Sequence, residues 1–355
     1  MTVTPSTIDV PATVIDDLRD RLRGTLWPDQ VEGAGWAYGT ELEYLRGVVA
    51  DWTAFDWGAR QEQLNTLPHV LVDGIHAVHR RAADPDALPL VMLHGWPSSF
   101  VQMLPILPLL PEFHVVALSL PGYGFSDRPR TSGTDVARIA DQVVDVMAQL
   151  GYERFGARGS DLGAGVLQQL ALAQPDRLVG LHLSGTNPYL GFVPDDLSDT
   201  EKKFVEQAQD WNQREMAYAM EHSSKPQTLA YGLTDSPAGL AAWILEKFRT
   251  WSDVDIDRAD LLTNLTIYWA THTIGSSMRL YYETARSTSA AWGRVTVPTA
   301  MAMSGADMFP TPREWAERSY NVVSWTELPR GGHFLEWEVP ELIADDLRAF
   351  FADRR

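Results

Sequence analysis

Apolar positions along the first 65 residues recur three and four apart. In IDDLRDRLRGTLW (15–27), Ile15, Leu18, Leu22 and Leu26 share one helical stripe, and Trp27-Pro28-Asp29 closes it. ELEYLRGVVADWTAFDW (41–57) predicts a second helix with an aromatic face. From Leu67 the period shortens to two, around Asp73-Gly74, which predicts a hairpin. His76 and His79 fall on that strand pattern, and without further ligands nearby they are expected on a solvated strand. LPLVMLHGWP (88–97), FHVVALSLPGYG (113–124) and YERFGARGSDLG (152–163) then follow, each a short apolar run closing in glycine. Long helical patterns such as DVARIADQVVDVMAQLG (135–151) lie between or after them. Strand, loop and amphipathic helix in repetition predict an α/β fold with a mostly parallel central sheet and helices on both faces. Between 186 and 287 the strand pattern vanishes and the text turns helical and rich in Trp and Tyr. A strand returns in VPTAMAMSG (297–305), followed by a helix, a short strand (VVSWTELP, 322–329), a Gly-Gly-His-Phe loop and a terminal helix. The expected organisation is a helical N-terminal arm (1–65), an α/β core (66–185 and 288–355) and a helical cap inserted into it (186–287).

Composition narrows the chemistry. The 355 residues hold no cysteine, which removes disulfides, thiolate zinc sites and cysteine nucleophiles. A net charge of −18 disfavours nucleic acid as a partner, because phosphate binding needs clustered Lys and Arg. The acidity itself is read as solubility. The N-terminus has no basic segment followed by an apolar run, and no apolar stretch approaches the roughly 20 residues of a membrane helix. A cytoplasmic protein without a membrane anchor is expected, and a homo-oligomer is compatible with the sequence.

Gly159-Ser160-Asp161-Leu162-Gly163 follows a strand pattern and precedes a helix. Small, any, nucleophile, any, small is the spacing of the nucleophile elbow of the α/β-hydrolase fold, where tight packing demands small flanks. Here the central residue is Asp161; centring on Ser160 would place Arg158 and Leu162 at the flanks, and no G-x-S-x-G occurs. The competing reading of Asp161 is a helix N-cap. As a nucleophile, an aspartate attacking saturated carbon leaves an ester that water can cleave, whereas a serine would leave an inert ether. An Asp elbow therefore points to an epoxide or a halide rather than to an amide or ester.

The elbow fold orders its chain as nucleophile, acid, histidine. Of nine histidines, His333 in Arg330-Gly331-Gly332-His333-Phe334 is the one late enough and in such a loop. Asp307, just after the 297–305 strand, is the expected acid that holds the imidazole tautomer; Glu314, Glu317 and Glu327 are weaker candidates. His94-Gly95-Trp96-Pro97 follows a strand, and the Trp96 N–H with that of Leu162 would form an oxyanion hole on the Asp161 carbonyl. Taken alone, that turn is an ordinary strand-to-loop connection.

With these residues assembled, the chain resembles the microsomal-type epoxide hydrolases and their bacterial relatives over nearly its whole length. The likeness rests on Ile15-Asp16-Asp17-Leu18 through Trp27-Pro28-Asp29 to Phe55-Asp56-Trp57, on HGWP at 94, LPGYGFS at 120, the Asp elbow and PRGGHF at 329. Lys225-Pro226-Gln227-Thr228 and LTDSPAGLAAWILEKF from 233 extend it through the insertion. The resemblance implies an α/β-hydrolase fold with a helical cap, an epoxide hydrolase activity through a covalent aspartyl ester, a detoxifying role and no cofactor or metal. It also implies two cap tyrosines that protonate the opening epoxide oxygen, Tyr218 and Tyr281 by local match. A phenol with a pKa near 10 suits that role, since it stays protonated at neutral pH. Tyr282 would point away from Tyr281 on a helix. The alternative for either tyrosine is aromatic core packing.

One departure is Leu162, where many relatives carry Trp. The backbone donor survives, but an indole toward the leaving group is lost. Haloalkane dehalogenases share the Asp elbow and use such an indole to hold halide, so Leu162 counts against that activity, although Trp96 could offer a second indole and contact substrate. A pathway-specific epoxide-opening enzyme on the same Asp-His-Asp triad and a non-catalytic ligand-binding protein are the other readings. The expected partners are a small apolar epoxide and water.

Overall fold

The computed structural model describes residues 2–185 and 194–354. The expected start of the cap at 186 and the two chain ends, Met1 and Arg355, lie outside the described residues.

The first segment is not wholly helical. Val3–Pro5 forms an edge strand (β1), followed by helices Ala12–Arg23 (α1), Leu42–Ala54 (α2) and Trp57–Leu64 (α3). Ile15, Leu18 and Leu22 are buried as their spacing predicts, but α1 ends at Gly24 and Leu26 is 94% exposed. The expected single helix over 41–57 is broken at Phe55-Asp56. Phe55 adopts extended backbone, and the Asp56 carboxylate accepts from the Ala59 N–H to start α3 afresh.

The hairpin at Asp73-Gly74 joins His69–Val72 (β2) to Ile75–Arg80 (β3), antiparallel. Strands Pro89–Leu93 (β4), His114–Leu118 (β5), Phe155–Ser160 (β6), Leu178–Ser184 (β7), Pro298–Ser304 (β8) and Asn321–Leu328 (β9) complete a nine-stranded sheet in the order β1-β2-β3-β5-β4-β6-β7-β8-β9. From β5 to β9 every pairing is parallel. Both faces are covered, which is why these strands read as continuous apolar runs. Val91, Leu93, Val116 and Leu118 pack with the helices Val136–Gln149 (α4) and Asp161–Ala173 (α5). Leu90, Met92, Val115 and Ala117 point into the opposite cluster.

Between β7 and β8 the described residues hold six helices and no strand: Asp199–Glu215 (α6), Ala217–Ser224 (α7), Pro226–Asp235 (α8), Pro237–Trp251 (α9), Arg258–Thr271 (α10) and Ile274–Thr284 (α11). The N-terminal helices pack on this insertion, with the Trp52 indole donating to Thr266 Oγ1 at 2.8 Å and Thr40 to the Ala242 carbonyl. After β8 come Arg313–Ser319 (α12), β9, Leu335–Glu338 (α13) and Pro340–Phe351 (α14).

The expectation of a solvated strand for His76 and His79 is overturned, since both are buried. Their partners lie far away in sequence. His69 Nε2 faces the Leu64 carbonyl, which can only accept, so His69 Nδ1 accepts from His76 Nε2 and His76 Nδ1 accepts from the Ser119 hydroxyl. His79 pairs with the Tyr152 hydroxyl.

Candidate active site

Parallel strands deliver their C-terminal ends to one edge of the sheet, and loops there can share a site. Leu93 at the end of β4 pairs with Gly159 on β6, and Ser160 pairs with Ser184 on β7. The register therefore gathers His94-Gly95-Trp96, Asp161 and Gly185. β8 ends at Ser304, three residues before Asp307, and β9 feeds the loop that carries His333.

Asp161 has φ of +52°, a conformation that favours glycine and that L side chains adopt at a cost. Its N–H is held by the Gly185 carbonyl at 3.2 Å. The helix N-cap is Ser160, so Asp161 is not spent on capping: its carboxylate is turned outward at the start of α5. Gly163 is required by close approach, because a Cβ there would stand 2.5 Å from the Leu93 carbonyl oxygen. A sharp strand-to-helix turn around a strained, protruding carboxylate is what the pentapeptide predicts.

The Asp161 carboxylate has two distinct oxygens. Oδ1 accepts the Trp96 N–H at 2.9 Å. Oδ2 faces His333 Nε2 at 3.5 Å, and His333 Nδ1 lies 2.8 Å from Asp307 Oδ1. Glu314 and Glu317, the weaker candidates, sit on α12, where Glu317 pairs with Arg313. Burial opposes charge on His333, but Asp307 and Asp161 outweigh it and push the imidazole up to about 10. In the resting site His333 is an imidazolium between two carboxylates.

His94 is buried and pins the turn that carries Trp96. Its Nε2 accepts from the Leu120 N–H at 3.2 Å and its Nδ1 donates to the Gly95 carbonyl at 3.0 Å, while burial holds its pKa down to about 4. It is a neutral strut. Trp96 reaches the site through its backbone. Its ring is fully buried, stacked on Tyr218 at 5.1 Å and 11° and set edge-on to His222, and its Nε1 has no hydrogen-bond partner among the described residues.

A cavity opens beside Asp161, lined among others by Leu162, Trp211, Met216, Tyr218, Tyr281 and Met308. Leu162, in the first turn of α5, follows Asp161 into it. The two tyrosines come from different helices, α7 and α11, and their rings lie 6.1 Å apart. Burial first, then the Tyr218 phenol and the Asp161 carboxylate, hold the Tyr281 phenol well above its ordinary pKa. Tyr282 is turned away and carries the Arg286 guanidinium over its ring.

Sequence reasoning missed four contributors: His222, Trp251, Glu336 and Glu338. Trp251, at the end of α9, packs on His333 and Tyr218 with ring centroids 5.5 and 5.2 Å apart. Glu336 forms a fully buried pair with Arg158, which lies on the elbow strand itself. Several of their partners lie far away along the chain, as Arg158 and Gln102 do from Glu336 and Asp253 from Glu338, so local spacing does not announce them.

Residues 3–103 match the family model described as the epoxide hydrolase N terminus, and residues 89–231 match that of the alpha/beta hydrolase fold. A Stigmatella aurantiaca protein, provisionally named an epoxide hydrolase, is 38% identical over 99% of this chain and 86% of its own. Epoxide hydrolase 1 of Oryctolagus cuniculus is 32% identical over 98% of this chain and 88% of its own. Among solved structures, that of Aspergillus niger epoxide hydrolase superposes with a TM-score of 0.89 at 30% identity, covering 99% of this chain and 96% of the other.

Proposed function

The chain belongs to the epoxide hydrolase family, and we propose that it turns an epoxide and water into a vicinal diol with Asp161 as its nucleophile. One observation carries the assignment: a single line of contacts runs from the Trp96 N–H through Asp161 and His333 to Asp307.

In the first half-reaction Asp161 Oδ2 attacks an oxirane carbon, the carbon–oxygen bond breaks, and its electron pair goes to the epoxide oxygen. That oxygen takes a proton from Tyr218 or Tyr281, leaving a hydroxyalkyl ester on Asp161. Esterification removes the charge of Asp161, one of the two carboxylates that keep His333 protonated. The imidazolium then gives its proton to the tyrosinate, which restores the phenol, and becomes a base oriented by Asp307.

In the second half-reaction His333 takes a proton from water, and the hydroxide adds to the Asp161 carbonyl carbon. Negative charge develops on Oδ1, where the Trp96 N–H already points and where the Leu162 N–H would add a second donor. Collapse expels the diol alkoxide, which takes the proton from His333. The proton of the regenerated Asp161 carboxyl returns to His333. Side chains fill each of these roles, so no cofactor enters the scheme.

The apolar lining by Leu162, Trp211 and Met308 suits an apolar epoxide. A dehalogenase reading finds no support, because Leu162 presents no indole and that of Trp96 is buried behind Tyr218. The helical insertion acts as a cap in this reading. A cytoplasmic location and a detoxifying role also belong to it, tested by cell fractionation and by the epoxide tolerance of cells lacking the protein.

Single-turnover reaction in heavy-oxygen water tests the covalent route. The first diol should carry the Asp161 oxygen, and solvent label in that diol would sink the mechanism. Asp161→Ala should abolish turnover across a panel of styrene-type, terpenoid and fatty epoxides.

A further inference from the structure

The loop that carries the base is held in an unusual way. All four backbone N–H groups of residues 331–334 are bonded, and none of their acceptors belongs to the sheet. Gly331 donates to Asp253 Oδ2 at 3.0 Å, Gly332 to Glu338 Oε2 at 2.8 Å, His333 to the Trp251 carbonyl at 2.8 Å and Phe334 to Glu338 Oε1 at 2.8 Å. Glu338 Oε2 also accepts the N–H groups of Asp253 and Val254, at 2.7 and 2.9 Å. One buried carboxylate thus gathers four main-chain donors, two flanking the base and two from the segment that leaves α9.

The glycine beside His333 follows from this junction. A Cβ at Gly332 would stand 2.3 Å from the Trp251 carbonyl oxygen and 2.7 Å from the Asp253 nitrogen. The base loop and the segment that leaves α9 are in direct main-chain contact, and a carboxylate is suited to such a joint because it only accepts.

We propose that Glu338 is a positioning residue for the hydrolytic half-reaction, fixing His333 relative to the Asp161 ester by tying its loop to residues 253 and 254. The inference rests on the assignment of His333 as the base that activates water. Ester formation needs Asp161 and a phenol, whereas ester cleavage needs the imidazole aimed at a water on the ester carbonyl, and misplacement of such a group by about 1 Å costs on the order of 100-fold. Glu338 should therefore act on the second step and spare the first.

Glu338→Gln tests this, since the amide NH2 must face at least one of the four donors. The substrate is the fastest epoxide of the styrene, terpenoid and fatty panel. With hydrolysis slowed and alkylation spared, kcat and KM should fall together, each by about 10- to 100-fold, with kcat/KM within about 3-fold. The aspartyl ester should accumulate and be seen by intact-protein mass spectrometry after quenching. A merely structural role predicts lower kcat at unchanged KM and no extra ester, and that outcome overturns the proposal. Asp346→Asn, which weakens a buried contact to His182 on another part of the fold, is the stability control and should leave the amount of ester at the wild-type level. Should Glu338→Gln fail to fold, Asp253→Asn loosens the same joint at Gly331, and a joint fall of kcat and KM of about 2- to 5-fold is expected, with unchanged KM overturning the proposal. If wild-type protein forms no ester on any epoxide of the panel, the functional assignment itself fails and this inference with it.

Discussion

Asp161 sits in a left-handed conformation that costs roughly 1–2 kcal/mol, and the surrounding contacts leave it no cheaper one. The strand before it, the Gly185 carbonyl on its N–H and the close packing of Gly163 force the chain to turn there and push the carboxylate into the cavity. The two tyrosines proposed as acids are under similar constraint. Tyr281 is held in its protonated form by burial and by neighbouring negative charge, so it should remain a donor well into alkaline solution. Tyr281→Phe and Tyr218→Phe should each slow ester formation by about 10- to 100-fold, and the double variant should form almost none. Stopped-flow tryptophan fluorescence reads that rate, and full ester formation in Tyr281→Phe would remove it from the mechanism. At this scale the sequence was informative where chemistry follows chain order. Asp161, Asp307 and His333 stand after β6, β8 and β9 in turn, and the structure brings those three together. The tyrosines were not separable by pattern, since choosing two of eleven took a family resemblance. His222 was silent because its partners are set by how helices pack, and Glu338 because it bonds main-chain N–H groups, which carry no residue signature.

Elements were legible where one period ran unbroken. β4, β5 and β6 read as apolar runs because both faces of the sheet are covered, and the hairpin at Asp73-Gly74 read from its turn. The misses share a cause, which is tertiary contact overriding local pattern. Leu26 continued the stripe of α1 on paper, but the helix stops at Gly24. Val3–Pro5 became a strand because β2 offered a free edge. His76 looked solvent-facing because its alternation matched a half-exposed strand, whereas His69 and the rings of Phe100 and Phe125 enclose it. Elements are also joined by charge. Arg158 on β6 donates to Glu336 on α13 and to Ser184 on β7, and Gln102 donates to the other Glu336 oxygen at 2.6 Å. Removing one partner leaves an uncompensated buried charge, so Glu336→Ala should cost about 3–5 kcal/mol. Urea unfolding measures it, and a loss below about 1 kcal/mol would show that the pair is not a structural tie.

Over the whole molecule, proton binding by the buried histidines sets how stability responds to acid. Burial holds His76 and His222 down to about 3 and His94 to about 4, the last two at the site itself. Each is neutral when folded and takes up a proton near pH 6.5 when unfolded. Their contribution is therefore present above pH 6.5 and is lost as pH falls from there toward 4. Each such histidine tilts stability by about 1.4 kcal/mol per pH unit in that window, so these three, with His79 likewise held down to about 4, give about 5–6 kcal/mol per unit. His333 works in the opposite direction. Its raised pKa contributes stability that is complete below about pH 6.5 and disappears as pH rises through about 10. Stability should thus peak near pH 6.5 to 7 and fall more steeply on the acid side. Urea titrations at half-unit intervals from pH 5 to 10 would show it. A flat profile between pH 6.5 and 5 would mean that these histidines take up protons without unfolding, and that the turn pinned by His94 opens before the rest of the protein.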